Sequence, residues 1–387
     1  MTPHEADTFN RSAAAYVHIP FCSAVCPYCD FAVVAGQDHL IERYVAAVCE
    51  EIGRSRAWRP LDAVYFGGGT PSHIEPRLIR QILGAVVDRH GLAPDAEVSL
   101  EANPEDFSAE RGEALLDAGF NRISFGAQSF DRRVLASLGR RHQDDDIEAS
   151  VRVARASGFE NVSIDLIHGT PGESDESWAL TLRRGLETEP DHISCYALTV
   201  EPGTPLGRSV RDGAEAPDPD AQADRYETAD AMLSKSGFDR YEVSNWARPG
   251  RECRYNLTVW AQGEYEAYGN GAHGFRDGFR FRNHRRVDAY IDRLESGKSP
   301  RAGSDPVDGW DAELDRLFVG LRRTVGVACG PGAEVLLASD EGSALVEAGV
   351  VSLDDDRLVV RKPLLTDAVH RSVLALSAPM VWVDDDA

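Results

Sequence analysis

Short apolar runs recur along the first 200 residues and alternate with longer segments whose apolar residues are three or four positions apart. The six runs are residues 14–19, 63–66, 98–101, 122–125, 162–167 and 193–198. Runs of this length are typical of buried strands, whereas the segments between them have the periodicity of amphipathic helices. Strands that alternate with helices pair in parallel through right-handed crossovers. The pattern therefore predicts an α/β fold, either a partial barrel of six strand–helix units or a curved parallel sheet.

Beyond residue 200 the pattern is less regular. Residues 214–222 are polar and rich in Pro and Asp, which predicts a loop, and residues 224–236 have helical periodicity. Residues 241–286 are aromatic-rich and irregular, and residues 299–308 have the composition of a linker. The remaining segments predict three helices and two short strands, at residues 312–323, 332–338, 342–348, 350–353 and 358–360.

These changes in pattern predict three parts of the chain. Residues 1–210 form the core domain, and residues 211–300 form an extension that completes it. Residues 301–387 form a small, mostly helical C-terminal domain whose two strands make a β-hairpin wing. Three consecutive aspartates, Asp354 to Asp356, occupy the turn of this wing. Their charge favours a packing or docking role over contact with nucleic acid.

Three cysteines follow the first predicted strand with the spacing C-x3-C-x2-C: Cys22, Cys26 and Cys29. Thiolates this close together in a loop are a candidate metal site. A tetrahedral zinc or a complete iron–sulfur cluster normally takes four protein ligands, so three leave one position open for a water, a substrate or a cofactor. The open position favours chemistry over a purely structural role.

Polar and glycine residues follow the next predicted strands. Gly67, Gly68, Gly69 and Thr70 allow a ligand to approach the backbone closely, although a tight turn alone would also explain the three glycines. Glu101 ends the third strand, where a carboxylate can accept both hydroxyls of a ribose. Because the carboxyl ends of parallel strands share one edge of the sheet, three further residues should converge on the same mouth, unless they are structural polar groups: Gln128, Arg140 and Asp165.

Composition and charge argue against several classes of protein: nucleic-acid-binding, disulfide-rich, membrane-spanning and secreted proteins. The net charge of −23 repels phosphate backbones and makes nucleic acid an improbable partner. An odd number of cysteines, seven, argues against a disulfide framework and for a reducing cytoplasm. No apolar run approaches the roughly 18 residues that span a bilayer, and the first residues do not have the pattern of a secretory signal.

The stretch Y-V-H-I-P-F-C-S-A-V-C-P-Y-C-D-F resembles the cluster loop of radical S-adenosylmethionine (SAM) proteins related to oxygen-independent coproporphyrinogen oxidase. Within that group the chain is most similar to the heme chaperone HemW family, through further segments such as Y-E-V-S-N-W-A-R-P-G and E-C-R-Y-N-L. The resemblance covers nearly the whole chain. It implies a radical SAM core domain and a protein that binds heme and delivers it to heme-accepting proteins, including respiratory ones.

The resemblance also implies cofactors and their residues. Cys22, Cys26 and Cys29 would hold a 4Fe–4S cluster whose fourth iron binds SAM through its amino and carboxylate groups. The motif Gly67-Gly68-Gly69-Thr70 matches the one that contacts the SAM amino group, and Glu101 matches the ribose-binding glutamate. Tyr16 resembles the aromatic residue beside the cluster, with a strand-core tyrosine as the alternative. Three residues match oxidase positions that contact a second SAM: Gln128, Arg140 and Asp165.

Two features separate the chain from true oxidases. Oxidases carry a longer segment before the cluster loop and a further cysteine two residues after the third, where this chain has Phe31. In the chaperone family a His-Asn-x-x-Tyr motif is associated with heme binding. The corresponding residues here, Tyr255 to Val259, lack both the histidine and the tyrosine at their expected positions. Tyr255 or His273 could ligate the heme iron in place of that histidine. For each of the two, a structural role is the other interpretation.

A local basic run lies in this acidic chain, and it either pairs with heme propionates or forms a solvated or ion-paired face: Arg276, Arg280, Arg282, Arg285 and Arg286.

Three hypotheses of function follow. The first is a cytoplasmic, SAM-binding 4Fe–4S heme chaperone, without a transmembrane segment but with transient contact to membrane proteins. The second is a radical SAM oxidoreductase such as coproporphyrinogen oxidase. The third is a non-catalytic zinc or electron-transfer protein.

Overall fold

The computed structural model describes residues 2–379. Met1 of the predicted core domain and residues 380–387 of the predicted C-terminal domain lie outside the described residues. A short helix, α1 (Pro3–Thr8), precedes the first strand. The first eight strands are β1 (Ala13–Ile19), β2 (Phe21–Cys22), β3 (Val34–Ala35), β4 (Leu61–Gly68), β5 (Leu92–Ala102), β6 (Arg122–Gln128), β7 (Asn161–His168) and β8 (His192–Ala197). All six predicted strands are present, as β1 and β4 to β8.

Helices connect these strands and cover one face of the sheet. They are α2 (Ile41–Arg54), α3 (Pro76–His90), α4 (Ala109–Ala118), α5 (Arg132–Ser137), α6 (Asp144–Ser157) and α7 (Asp175–Glu187). β1, β4, β5, β6, β7 and β8 pair in this order, each parallel to the next. The sheet stays open, with unpaired edges at its two ends. The expected α/β partial barrel or curved parallel sheet is confirmed.

The next part of the chain adds strands to both ends of this sheet. Its helices are α8 (Pro205–Arg211), α9 (Pro219–Lys235), α10 (Arg254–Trp260) and α11 (Val287–Glu295). Its strands are β9 (Asp239–Arg240), β10 (Asn245–Ala247), β11 (Glu264–Tyr268), β12 (His273–Arg276), β13 (Phe279–Asn283) and β14 (Arg301–Pro306). β11 pairs in parallel with β1, and β12 to β14 continue from it as antiparallel strands. The sheet therefore has twelve strands.

Three sequence-based expectations are wrong in this part. Helix α9 begins at Pro219 inside the predicted loop, because the side chain of Asp218 accepts from the Asp220 amide and caps the helix. The region expected to be irregular, residues 241–286, contains four strands that extend the sheet. The predicted linker, residues 299–308, is mostly the edge strand β14, whose exposed side chains gave no strand pattern.

The last elements enclose a separate apolar core. They are α12 (Gly309–Gly320), β15 (Val327–Ala328), α13 (Pro331–Ala338), α14 (Asp340–Glu347), β16 (Val351–Asp354), β17 (Arg357–Val360) and α15 (Thr366–Leu374). Leu317, Leu336 and Leu358 are completely buried in this core. The predicted helices and the hairpin wing are present, and β15 adds a third strand. The division of the chain at residues 210 and 300 stays a prediction.

No helix within residues 2–379 combines the length and apolar character needed to cross a membrane.

Candidate cofactor site at the strand ends

The cysteine loop leaves the carboxyl end of β1 and is closed at its base by the parallel pair β2 and β3. Cys22 is the last residue of β2, whereas Cys26 and Cys29 lie in the loop, where the Cys29 amide donates to the Cys26 carbonyl over 3.1 Å. All three are free, half-buried thiols. Arg285 forms an ion pair of 3.1 Å with Asp30, which ties the end of the loop to the residues after β13.

Two hydrogen-bond donors point at cysteine sulfurs. The Thr70 hydroxyl lies 3.5 Å from Cys22 Sγ, and Nη1 of Arg140 lies 3.6 Å from Cys26 Sγ. Asn103 joins these donors, since its Nδ2 donates to Thr70 Oγ1 over 3.3 Å and its Oδ1 accepts from Arg140 Nη2 over 2.6 Å. A continuous polar chain, here called the Thr70–Asn103–Arg140 chain, therefore connects two of the cysteines.

Burial raises the pKa of the Cys22 thiol to about 11 and also raises that of Cys29. Within residues 2–379, no three His, Cys, Asp or Glu side chains converge closely enough to hold a metal ion. A four-iron cluster has its irons at separate corners of a cube, so it takes three thiolates spaced more widely than the ligands of one ion. Three thiols at the carboxyl end of β1, with donors aimed at two of the sulfurs, fit such a cluster.

The glycine motif packs so tightly that side chains would not fit. A Cβ on Gly67 would lie 2.9 Å from the Glu101 carboxyl, and one on Gly69 would lie 2.7 Å from the Ile19 carbonyl. Gly68, with φ of 107°, has the His18 ring in the space of its missing Cβ. Its amide donates to Glu101 Oε2 over 3.0 Å, and the two following amides also bond within the protein. The amides of this motif are therefore engaged within the protein.

Glu101 and three tyrosines line the mouth next to this motif. Glu101 accepts from the Tyr65 hydroxyl over 2.8 Å, and burial together with the charge of Asp165 raises the pKa of Glu101 to about 7. The Tyr65 ring stacks on Tyr16 and on Tyr255, with centroids 6.3 and 5.3 Å apart. Tyr16 and Glu101 thus lie on either side of Tyr65, and both adjoin the glycine motif.

The remaining predicted residues come from β6, β7 and the loop before α6. Gln128 ends β6 with φ of 63°, and a Cβ on Gly126 would contact Gln128, Arg140 and Asn103 within 3.7 Å, so these three side chains meet there. Asp165 lies inside β7 rather than at its end. It accepts from Ser124 and Ser194 over 2.7 to 3.1 Å, and burial raises its pKa.

The predicted site residues therefore gather at one end of the sheet, but their roles stay predictions. Sequence reasoning missed Asn103, although it lies in the same L-E-A-N-P segment as Glu101, at the end of β5. It also missed Tyr65, which looks like an ordinary strand residue in the sequence. Only its contacts with Glu101 and Tyr16 reveal its place in the site.

Comparisons with known proteins agree with this arrangement. The model of the Radical SAM superfamily matches residues 16–184. A heme chaperone HemW from Mycobacterium tuberculosis is 41% identical over 374 residues, which cover 93% of this chain and 94% of that protein. The chain belongs to the HemW family. Its membership of this radical SAM family implies a 4Fe–4S cluster and SAM as cofactors.

Other members of the HemW family and a solved structure extend the comparison. The heme chaperone HemW of Escherichia coli (strain K12) is 38% identical over 272 residues, or 68% of this chain and 71% of that protein. The structure of coproporphyrinogen III oxidase (HemN) from Escherichia coli superposes with a TM-score of 0.81 over 95% of this chain and 92% of that chain. At 23% identity this likeness shows a shared fold. Membership of the HemW family favours the iron–sulfur cluster over the zinc alternative.

The two candidate heme ligands occupy different surroundings in this HemW-family chain. Tyr255, on α10, is enclosed by Tyr16, Tyr65 and Tyr265, and burial raises its pKa well above the usual value. A tyrosinate at this position is therefore costly. His273, at the start of β12, is exposed, and partial burial lowers its pKa, which keeps the imidazole neutral and able to ligate.

The basic run proves to be an ion-paired face. Each of its five arginines has a carboxylate partner: Arg276 with Glu266, Arg280 with Asp315, Arg282 with Asp305, Arg285 with Asp30 and Arg286 with Asp288. The ion-paired alternative of the sequence analysis is thus confirmed, and propionate binding by this run would require breaking existing pairs.

Proposed function

We propose that this protein is a radical SAM-type 4Fe–4S protein that binds heme and transfers it to acceptor proteins. The observation that carries the proposal is the 41% identity to a heme chaperone HemW along 93% of the chain. Phe31, which stands where oxidases place a further cysteine, supports a chaperone over an oxidase. Its ring is 69% exposed beside the cysteine loop, so it is not needed as a core residue.

The cofactor residues are part of the same proposal. Cys22, Cys26 and Cys29 hold the cluster, and the Thr70–Asn103–Arg140 chain stabilises the charge on the ligating sulfurs. Nine residues contact SAM or orient the groups that do: Tyr16, Gly67, Gly68, Gly69, Thr70, Glu101, Gln128, Arg140 and Asp165. When bound, the cluster and SAM supply one-electron chemistry. The half-buried tyrosines around Glu101 limit the access of water to that end of the sheet.

The proposed partners are heme and heme-accepting proteins, including respiratory ones, which the chain meets in the cytoplasm by transient contact with membrane proteins. An exposed surface rich in carboxylates, with a net charge of −23, does not attract nucleic acid.

A transfer experiment tests the proposal. The cluster-reconstituted protein is mixed with hemin, passed through a gel-filtration column, and then added to apomyoglobin as the acceptor. We expect about one heme per chain to elute with the protein and all of it to pass to apomyoglobin, because a chaperone must both hold and release its cargo. Hemin that elutes separately from the protein would refute the proposed function.

The second candidate is a radical SAM oxidoreductase, such as an oxygen-independent coproporphyrinogen III oxidase. The observation that favours it is the polar mouth at the strand ends, where Glu101 and Asp165 lie close enough for one charge to affect the other. Anaerobic incubation with SAM, a reductant and coproporphyrinogen distinguishes the two. Formation of 5′-deoxyadenosine together with protoporphyrinogen would identify an oxidase, whereas the chaperone proposal predicts no protoporphyrinogen.

A further inference from the structure

A basic cleft lies on strands β11 to β14, on the face turned towards α2 and α11. Two adjoining cavities of about 400 and 410 Å³ form it. They share five lining residues, Ser55, Arg56, Glu266, Phe281 and Arg301. Cavities of this size are in the range that holds a small-molecule ligand. We call this pair of cavities the outer cleft.

The outer cleft is separate from the cofactor site, because side chains alternate across a strand. On β11, Glu266 lines the cleft, whereas the neighbouring Tyr265 points to the opposite face and packs against Tyr255. On β13, Phe281 lines the cleft, whereas the neighbouring Arg280 pairs with Asp315 of α12. The sheet itself therefore stands between the outer cleft and the strand-end residues.

Arg301 and Lys298 of the outer cleft differ from the paired arginines of the basic run, one of which, Arg276, also lines the cleft. Within residues 2–379, no carboxylate lies at ion-pair distance from the side chain of Arg301 or of Lys298, both of which are exposed. The Arg301 guanidinium is held 3.9 Å above the Phe281 ring. The buried carboxylate of Glu266 is paired with Arg276 and so is not a free partner. Two positive charges thus remain unmatched in a chain with a net charge of −23.

A third cation and an apolar surface complete the cleft. Arg56 forms an ion pair of 3.2 Å with Asp277, and both side chains are mostly exposed, so this pair is weak and easily exchanged. Phe279 lies at the rim with 46% of its surface exposed. Phe281 forms part of the floor. Exposed aromatic surface beside unmatched cations fits a flat apolar ligand with carboxylates at one edge.

We propose that the outer cleft binds the carboxylate edge of heme, with its two propionates paired to Arg301, Lys298 and Arg56 and its ring against Phe279. This rests on the proposed heme-binding function and gives the cargo a site apart from Tyr255. Of the residues that line the cleft, none is a histidine, cysteine or methionine, and the tyrosine among them, Tyr268, is buried and hydrogen-bonded with His90. The cleft therefore recognises the carboxylates and the ring rather than the iron.

The test is a hemin titration, followed by Soret absorbance, of the full-length double variant Arg56→Gln/Arg301→Gln. We expect its affinity for hemin to fall by about tenfold, since charge-assisted contacts to both propionates are lost. The matched control is Arg282→Gln/Arg286→Gln, which removes the same charge from paired arginines outside the cleft and should bind like the wild type. Lys298→Gln, at an exposed position, should weaken binding without disturbing the fold.

Metal-free protoporphyrin IX is the second probe, because it keeps both carboxylates and lacks iron. Fluorescence titration should show the same loss of affinity between the wild type and Arg56→Gln/Arg301→Gln. Unchanged hemin affinity in that variant, or a loss seen with hemin alone, would overturn the outer cleft as the carboxylate site. If the wild type itself binds no hemin, the proposed function fails first, which distinguishes the two failures.

Discussion

Asn103 connects residues from separate strand ends through hydrogen bonds of its side chain. Its side-chain amide donates to Thr70 and accepts from Arg140, so donors to Cys22 and Cys26 are fixed relative to each other. Hydrogen bonds to ligating sulfurs are one of the features that set the reduction potential of an iron–sulfur cluster. Arg140, which the sequence assigns to SAM binding, thus has a contact with Cys26 that the sequence did not predict.

Removing Arg140 should therefore change the cluster. In Arg140→Gln the donor to Cys26 loses its positive charge, so the reduced, more negative cluster is less stabilised. We expect the reduction potential to fall by roughly 60 mV, the equivalent of a tenfold change for one electron. Potentiometric titration monitored by EPR measures it. The exposed neighbour Arg141→Gln is the control, and equal potentials in both variants would contradict a role for Arg140 at the sulfur.

Glu101 gives a prediction about pH. Its pKa is raised to about 7 by burial and by the nearby charge of Asp165, so the free protein carries a protonated Glu101 at pH 6 and a carboxylate at pH 8. If the carboxylate accepts the ribose hydroxyls, SAM affinity should rise across this interval. Glu101→Gln should lose about tenfold in affinity at pH 8 and most of the pH dependence.

Anaerobic equilibrium dialysis with labelled SAM measures both effects of the Glu101 substitution. The exposed Glu110→Gln, at the start of α4, keeps the wild-type pattern. A Glu101→Gln variant that retains the pH dependence would show that another group is responsible for it.

At the scale of elements, the carboxyl group of Glu51 joins α2 to β13, to α11 and to the turn after β11. Glu51 of α2 accepts from the Gly269 amide over 2.9 Å, from Asn283 Nδ2 over 2.7 Å and from the Tyr290 hydroxyl over 2.5 Å. These donors belong to the turn after β11, to the end of β13 and to α11. One side chain thus holds the elements that border the outer cleft.

Glu51→Ala should be strongly destabilising, because three buried donors lose their acceptor at once. We expect a loss of about 3 kcal/mol or more in the free energy of unfolding, measured by denaturant titration. Glu50→Ala removes a neighbouring carboxylate that forms an exposed pair with Arg54, and it should cost less than about 1 kcal/mol. Similar losses in the two variants would contradict the account of this junction.

Elements differ in how far the sequence predicts them. The central strands are predictable because they are buried on both faces and read as apolar runs, as in β4 and β7. β11 was missed because its sequence E-Y-E-A-Y contains a glutamate, Glu266, that is buried only by virtue of its pair with Arg276. β14 was missed because an edge strand with exposed polar side chains has no strand pattern.

At the scale of the whole molecule, the first helix and the C-terminal wing are joined. Asp7 of α1 accepts from Arg357 of β17 over 2.6 Å and lies 3.4 Å from Arg323. Although partial burial acts to raise the pKa of Asp7, these arginines hold it below its usual value. The stabilisation is therefore present at neutral pH and is lost as the pH falls through that lowered pKa.

Asp7→Asn should lower the melting temperature at pH 7, since it leaves two largely buried arginines without a charged partner. The difference from the wild type should shrink as the pH falls through the lowered pKa of Asp7, because below that pKa Asp7 is protonated in the folded state as well. Asp88→Asn, at an exposed position on α3, is the control and should leave the melting temperature unchanged. A difference that persists undiminished at low pH would rule out the ion pairs as its cause.

In the candidate site, as among the helices and strands, some features can be predicted from the sequence and others cannot. The three cysteines could be predicted as ligands because residue type and spacing indicate a metal or cluster site: Cys22, Cys26 and Cys29. The position of Glu101 at a strand end follows from the parallel topology. Whether an arginine has an ion-pair partner cannot be predicted in this way. Sequence alone could not show that Arg282 is paired whereas Arg301 has no carboxylate partner within residues 2–379, because their surroundings depend on which face of a strand each occupies.

The most direct test of the account is a hemin titration of the cluster-reconstituted wild-type protein, followed by its Soret absorbance. We predict a saturable change with an end point at about one heme per chain, because one site of defined chemistry takes up the cargo. Absorbance that rises in proportion to added hemin, with no end point, would contradict the claim that this HemW-family protein is a heme chaperone.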